Sequence, residues 1–436
     1  PGLVLVLGLA MSIYDPRGMT SLLQDQVFDL YQRILPRSPA EAGPRTVYVD
    51  IGAKSAEQFG AWPWPRKRFV ELVDLVRDAG ASAIMIDMPI DENDPTSQAE
   101  LLKLWGSLDH VPSAYGLQMG LSEMPDYDLR LATLLAETPS VVSFVPGKTA
   151  IGTLRQPDPK IIIASQGSDA RHYTRNISDW RSSLSHLTTM AKGNGASLSD
   201  RMPGSSVRNI PLVVNLGGTL YPSNVLETLR VYREGTGYRA HVAEPENGFA
   251  LGMQPGIDRI SIDGTELAAL TRPDGFLRLY FGGPETRVKV AAADLINRVA
   301  GLPSLDGKIV VIGVSANGSD RFFGTPTGER MASGAIAANA IDQILQGSFL
   351  TTPGWAPLGS QLFIFFGGVL IILVVGRYRF RWSFLFTLVL VGGAAYGSWW
   401  AFDTHRWLID PALPSATFII ASFTCALMRR LHTEDR

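Results

Sequence analysis

The sequence predicts an α/β domain joined to an α-helical membrane region. Two observations carry this. Three apolar runs, Leu358–Gly376, Ser383–Phe402 and Leu413–Met428, crowd the C-terminal end of a 436-residue chain. Each is close to the about 20 residues a helix needs to cross a bilayer. Ahead of them, short apolar runs of strand type alternate with segments of helical period. That alternation predicts a mainly parallel sheet covered by helices.

In chain order, Leu3–Ser12 is apolar but too short to span, and reads as the end of a first membrane helix. Thr46–Asp50 is a strand and Ser55–Phe59 a short helix. Arg66–Ala79 places Phe69, Leu72, Val73, Leu75 and Val76 at helical spacing, and Gly80 stops it. Ala83–Asp87 is a second strand, Asp128–Glu137 a helix and Ser140–Val145 a third strand. Residues 150–208 are rich in Ser, Gly, Asp and Arg, and read as loop around one amphipathic helix bearing Trp180, Leu184 and Leu187. Ile210–Asn215 is a strand and Ser223–Tyr232 a helix. Arg259–Ile262, Phe276–Tyr280 and Val288–Val290 form an antiparallel portion. Lys308–Ile312 is a strand, Phe322–Gly328 a loop, and Gly334–Gln346 the last helix before the membrane. The expected division is a helix end at 1–13, an extracytoplasmic domain at 14–356, three membrane helices at 357–428, and the start of a cytoplasmic linker at 429–436.

Charge orients the membrane runs. Arg377, Arg379 and Arg381 lie between the first two, and Arg429, Arg430 and Arg436 follow the third. The remaining loop sets one Arg406 against Asp403 and Asp410. Lys and Arg in short loops mark the cytoplasmic side, so the large domain is expected outside. Trp355, Trp382, Trp399, Trp400 and Trp407 sit near the run ends, where interfacial aromatics belong.

The formal net charge is −2, and the large domain has no basic stripe, so a nucleic-acid partner is excluded. The one cysteine, Cys425, lies in the last apolar run. The outer domain therefore has neither disulfides nor a thiolate metal site, which suits a large core in a bacterial periplasm. His110, His172, His186, His241, His405 and His432 are scattered without metal-ligand spacing, and no cofactor motif appears. Gly313-Val314-Ser315-Ala316-Asn317 follows a strand like a nucleophile elbow, but Asn317 stands where the elbow needs glycine. There is no phosphate-binding Gly-Lys-Ser/Thr. The chain shows no catalytic site.

Three places are candidates for ligand contact. Trp62, Trp64 and Arg66 in Trp-Pro-Trp-Pro-Arg form either a ligand clamp or packing at a helix start, where Pro65 suits the first turn. Asp50 and Asp87 each end an apolar strand. Ligands of open α/β sheets bind beyond strand carboxyl ends, yet Asp there also caps turns. Asp91-Glu92-Asn93-Asp94 lacks calcium-loop spacing and reads as a solvated loop.

Tyr48-Val-Asp50, Phe59-Gly-Ala-Trp-Pro-Trp-Pro-Arg66 and Gly80-Ala-Ser-Ala-Ile-Met-Ile-Asp87 resemble the start of the type-two CHASE domain, an extracytoplasmic sensor of bacterial cyclases and kinases. The resemblance continues through Asp200–Leu212 with Arg208 and Pro211, Asp274-Gly275, Leu305–Gly313, Asp320 with Thr325-Pro326, Ala338-Asn339-Ala-Ile-Asp342 and Gly347. It departs at Ser333–Ala337, where Ala337 stands in place of a usual histidine. The resemblance implies a sensory receptor, with candidate ligand residues Asp50, Trp62, Trp64, Arg66, Asp87 and Asp320. The tail Leu427–Arg436 is similar to the lead into membrane-bound class III adenylate cyclases. It implies a homodimer, because such cyclases form their active site between two catalytic domains. Output through a serine/threonine or histidine kinase, or a role as an assembly subunit, stays open. The expected partners are the lipid bilayer and an unidentified extracytoplasmic ligand or protein.

Overall fold

The computed structural model describes residues 1–14, 19–97, 100–101, 125–146, 157, 159–198, 206–244, 255–315, 322–377 and 380–434. The chain divides into two compact units. One comprises residues 37–243 and 256–348; the other comprises 1–36, 244–255 and 349–436.

The second of these units is helical. It contains α1 (Gly2–Ile13) and α2 (Met19–Ile34). The first unit follows with β1 (Thr46–Ile51), α3 (Ala53–Phe59), α4 (Arg66–Asp78), β2 (Ala83–Ile86), α5 (Tyr127–Glu137) and β3 (Ser140–Pro146). Then come β4 (Ile163–Gln166), β5 (Asn176–Ile177), β6 (Trp180–Arg181), α6 (Ser185–Met190) and β7 (Gly193–Ala196). After β8 (Asn209–Pro211), β9 (Val213–Leu216) and β10 (Thr219–Pro222) comes α7 (Asn224–Tyr232). Strands β11 (Gly237–Ala243), β12 (Gly256–Asp263), β13 (Ala268–Leu270), β14 (Phe276–Arg278) and β15 (Lys289–Ala291) lead to α8 (Ala292–Ile296). Last are β16 (Ile309–Val314), β17 (Phe322–Gly324), β18 (Arg330–Ala332) and α9 (Ser333–Leu345).

The main sheet runs β15-β1-β16-β2-β3, with parallel β7 and antiparallel β6 on the far edge of β3. Side chains alternate across it. Val47, Val49, Ile51, Ile84, Ile86, Val310 and Ile312 share one apolar core with Phe69, Leu72 and Val73 of α4 and Leu131 and Leu135 of α5. Helices α6 and α8 complete that layer. Helices α7 and α9 pack on the opposite face. A smaller sheet, β13-β12-β11-β4, is largely antiparallel.

The helical unit adds α10 (Ala356–Arg377), α11 (Phe380–His405) and α12 (Ala412–Glu434). All three contain windows long and apolar enough to cross a membrane. Close approach rests on small residues. A Cβ at Gly8 would clash with Thr417, and one at Gly367 with Phe418.

Several expectations need correction. Val288–Val290 is no antiparallel piece: β15 pairs in parallel with β1, because α8 carries the chain back across the sheet. Trp180 and Leu187 do not share a helix, since Trp180 is in β6 and α6 begins only at Ser185. Within the expected loop of 150–208, β7 joins the main sheet. Phe322–Gly328 begins as a strand, β17. Ile210–Asn215 is two strands in different sheets.

Candidate functional site

The face of the main sheet under α7 and α9 is mixed, with polar groups set among apolar residues such as Met85 and Val311. Thr46, Tyr48 and Asp50 point to it from β1, Asp87 from just beyond β2, and Lys289 from β15, each alternating with an apolar residue on the other face. Beside β1, β15 and α9 a cleft of about 360 Å³ opens. Its polar lining includes Arg287, Lys289, Glu329, Arg330, Asn339 and Asp342, and its apolar lining includes Met331 and Ala335.

The charges there are held by one another. Asp50 is buried, accepts a hydrogen bond from Tyr48 Oη at 3.1 Å and pairs with Lys289 Nζ at 2.8 Å. Arg287 Nη1 meets Glu329 Oε2 at 2.6 Å, and the Arg330 guanidinium lies 5.8 Å from the centre of the Phe322 ring. Asp342 accepts from Arg45 N at 2.8 Å and Thr46 Oγ1 at 2.5 Å. Burial pushes the Asp342 carboxyl above its ordinary value, against the pull of those hydrogen bonds and of Arg37. Arg37 is itself buried. It donates to Tyr280 O, Asn339 Oδ1 and Gln346 Oε1, and its burial lowers its pKa while Asp342 opposes the shift.

Asp87, 1 % exposed, lies deeper on the same face. It accepts from Ser197 Oγ at 2.5 Å, Asn224 Nδ2 at 2.7 Å and Ser333 Oγ at 2.5 Å. Asn224 and Ser333 open α7 and α9, so the carboxylate also meets the positive ends of two helices. Gly334 sits between Tyr48 and Asp87: a Cβ there would come 2.7 Å from the tyrosine ring and 3.4 Å from the carboxylate. Sequence reasoning missed a further buried group, Glu227, Arg230 and Tyr238. Arg230 Nη2 pairs with Glu227 Oε1 at 2.7 Å, and Tyr238 Oη donates to Glu227 Oε2. Burial and the Glu227 charge raise the tyrosine pKa well above its usual value. The i,i+3 Glu–Arg pair on the otherwise apolar 223–232 helix was the available signal.

Trp62, Trp64 and Arg66 lie elsewhere, on the α4 side. Trp64 is 3 % exposed, packs edge-on to Phe59 at 5.7 Å and donates to Gly60 O. Trp62 packs against Phe69. Arg66 pairs with Asp128 at 2.5 Å and donates to Glu92 O. Asp94 corrects the expectation of a solvated 91–94 loop. It is buried and caps this corner, accepting from Arg66 N and Thr96 N. Asp320 lies outside the described residues. Ser315 lines the cleft, and the residues immediately after it also lie outside the described ones. Among the described residues no cluster of side chains has the makings of a metal site.

The family model of the CHASE2 domain matches residues 3–376. The chain belongs to the CHASE2 domain family. No curated protein and no solved structure matches it. CHASE2 is an extracytoplasmic sensor domain, so membership supports a sensory receptor role, and the apolar helices support membrane association. The CHASE2 signature residues also gain physical reasons. Asn339 and Asp342 hold Arg37 and Thr46; Gly80 and Gly307 adopt φ of 82° and 68° and their loops are joined by the Gly307 N to Gly80 O bond at 3.0 Å.

Proposed function

We propose that the chain is the sensory and membrane region of a bacterial receptor whose output is a class III adenylate cyclase. The receptor is a homodimer and a multi-pass protein of the inner membrane, with the sheet-containing unit in the periplasm. An external small molecule or protein is sensed at the cleft above Asp50, and the cue is relayed to cyclic AMP synthesis. Asp87 holds the amino end of α9, which lines the cleft, to that of α7, while Trp62, Trp64 and Arg66 build the fold.

One observation carries this reading. Helix α9 contributes Ala335, Ala338, Asn339 and Asp342 to the cleft, and only Gln346–Trp355 separate it from α10 in the chain. The short linker contains Pro353, which fixes φ and stiffens it. A ligand that favours one position of α9 biases the membrane helix after it, to the extent that its affinity differs between two states.

The test uses the natural full-length protein in membranes, with cyclic AMP synthesis as the readout. Ala335→Leu, which fills the cleft, should fix output at one level. A Gly-Ser insertion after Pro353 should leave basal activity but remove its response to the outer domain. An unchanged response in both variants overturns the proposal. Protein phosphorylation in place of cyclic AMP would assign a kinase output. An alkaline phosphatase fusion at Gly204 should be active in a bacterial host; an inactive one would place the unit in the cytoplasm.

A further inference from the structure

Helix α2 is built the wrong way round for water. Its buried face includes Asp29 and Gln32 beside Phe28 and Tyr31, while Leu22, Leu23, Leu30 and Ile34 are 60, 53, 50 and 57 % exposed. At the helical period the four exposed side chains fall within about 120°, an arc that also holds the exposed Gln26 and Arg33, whose long stems let their polar ends reach out to the headgroups. The opposite face is anchored. Tyr31 Oη reaches Ser398 Oγ at 3.2 Å, its ring lies 5.3 Å from that of Phe402, and α2 packs on α12. A helix in water buries such leucines and exposes such polar groups.

The neighbours of α2 in the same unit are arranged alike. Leu3, Val6 and Leu7 of α1 and Ile419, Ile420 and Phe423 of α12 are exposed large apolar residues. The leucine stripe is therefore one of several exposed apolar surfaces in the unit, one of them on a helix long and apolar enough to cross a membrane. At 16 residues α2 is too short to cross. It also holds little more than two heptads, short of the three to four that a coiled-coil seam with a second copy requires.

We propose that α2 is an interfacial membrane helix. Its Leu22, Leu23, Leu30 and Ile34 stripe is buried among lipid acyl chains at the end of the bundle that carries the α11–α12 loop. Residues 19–34 then belong to the membrane region, and the outer domain begins after them.

Spin labels read this directly. Cys425 is the only cysteine, so the full chain carrying Cys425→Ala with Leu30→Cys or Leu23→Cys takes one label. The protein is placed in phosphatidylethanolamine–phosphatidylglycerol vesicles. Collisions with apolar oxygen should exceed collisions with a water-soluble nickel chelate several-fold at both positions. Ile162→Cys, at an 80 % exposed position of the other unit, should show the reverse ratio. Leu23→Cys gives an independent reading where Leu30→Cys perturbs folding. Nickel-dominated relaxation at the stripe overturns the proposal. So does spin–spin broadening that vanishes on dilution with unlabelled chain, which would place a second copy there.

Discussion

The two faces of the main sheet differ in how many polar groups they bury. Under α4 and α5 the strands present Val47, Val49, Ile84, Ile86, Val310 and Ile312, and the core is aliphatic and aromatic. Under α7 and α9, β1 presents Thr46, Tyr48 and Asp50 while β2 and β16 present Met85, Ile309 and Val311, and the interior also holds Asp87, Asn224, Asn339, Asp342 and Gln343. An aliphatic interface is non-directional and tolerates small shifts only at the cost of lost packing. A hydrogen-bonded one has defined partners, is costly when left half-made, and can exchange one complete set of bonds for another. Both faces contribute apolar packing; the contrast assigns the exchangeable polar contacts to the second, which is the face with the cleft.

The largest expected effect lies on the apolar side. Trp64→Ala removes a buried ring from that core and should cost about 3–5 kcal/mol of stability in urea unfolding. A variant that keeps its melting temperature but loses a signal would instead make Trp64 a binding residue and blur the contrast. On the polar side, Asp87→Asn keeps the volume but replaces an acceptor with a donor facing Ser197, Asn224 and Ser333. Leaving such groups unmatched should cost about 2 kcal/mol, and amide exchange should quicken first at the amino ends of α7 and α9.

Asp342 gives a smaller effect with a defined sign. Burial raises its folded-state pKa above the ordinary 3.8, so the folded chain binds its proton more tightly than the unfolded chain. Its ionisation therefore lowers stability as pH rises from about 4 through the folded pKa. Asp342→Asn should be stabilised relative to the parent at neutral pH, and the gap should close as pH falls towards 4. A constant gap across that range would mean the carboxyl does not titrate there. Away from both faces, Arg171 holds the exposed Asp169 down to about 2 through hydrogen bonds and charge. Arg171→Ala should raise the Asp169 pKa, followed by NMR, towards the usual carboxylate range, short of it because the backbone N–H of residue 171 still donates, with no measurable change in melting temperature.

The apolar face was the legible one. Arg66–Ala79 and Ser140–Val145 announce themselves by periodicity, because their partners need only be apolar. Strand ends were legible too, so Asp50 and Asp87 stood out. What the sequence hid is pairing at a distance. Lys289 is nothing in its own segment; it matters because β15 lies beside β1, 239 residues from Asp50. Arg37 likewise has partners more than 240 residues away. Strands of two or three residues, such as β6 and β17, are too short to show a period and exist through their partners.

Arg37 also has a mechanical meaning. It stands at the first residue of the sheet-containing unit and grips Gln346, two residues from its end, at 2.5 Å. The unit's outermost entry and exit thus form one neck, held by this side chain, while Ala243 and Gly256 bound a further crossing. A module with such a neck can be lifted from one host and set into another, because its fold asks nothing of the distance between the two connections. Pulled, the neck yields little. What it can pass on is a twist or a parting of two adjacent strands of chain, and Arg37→Ala would loosen the clasp that keeps them moving as one.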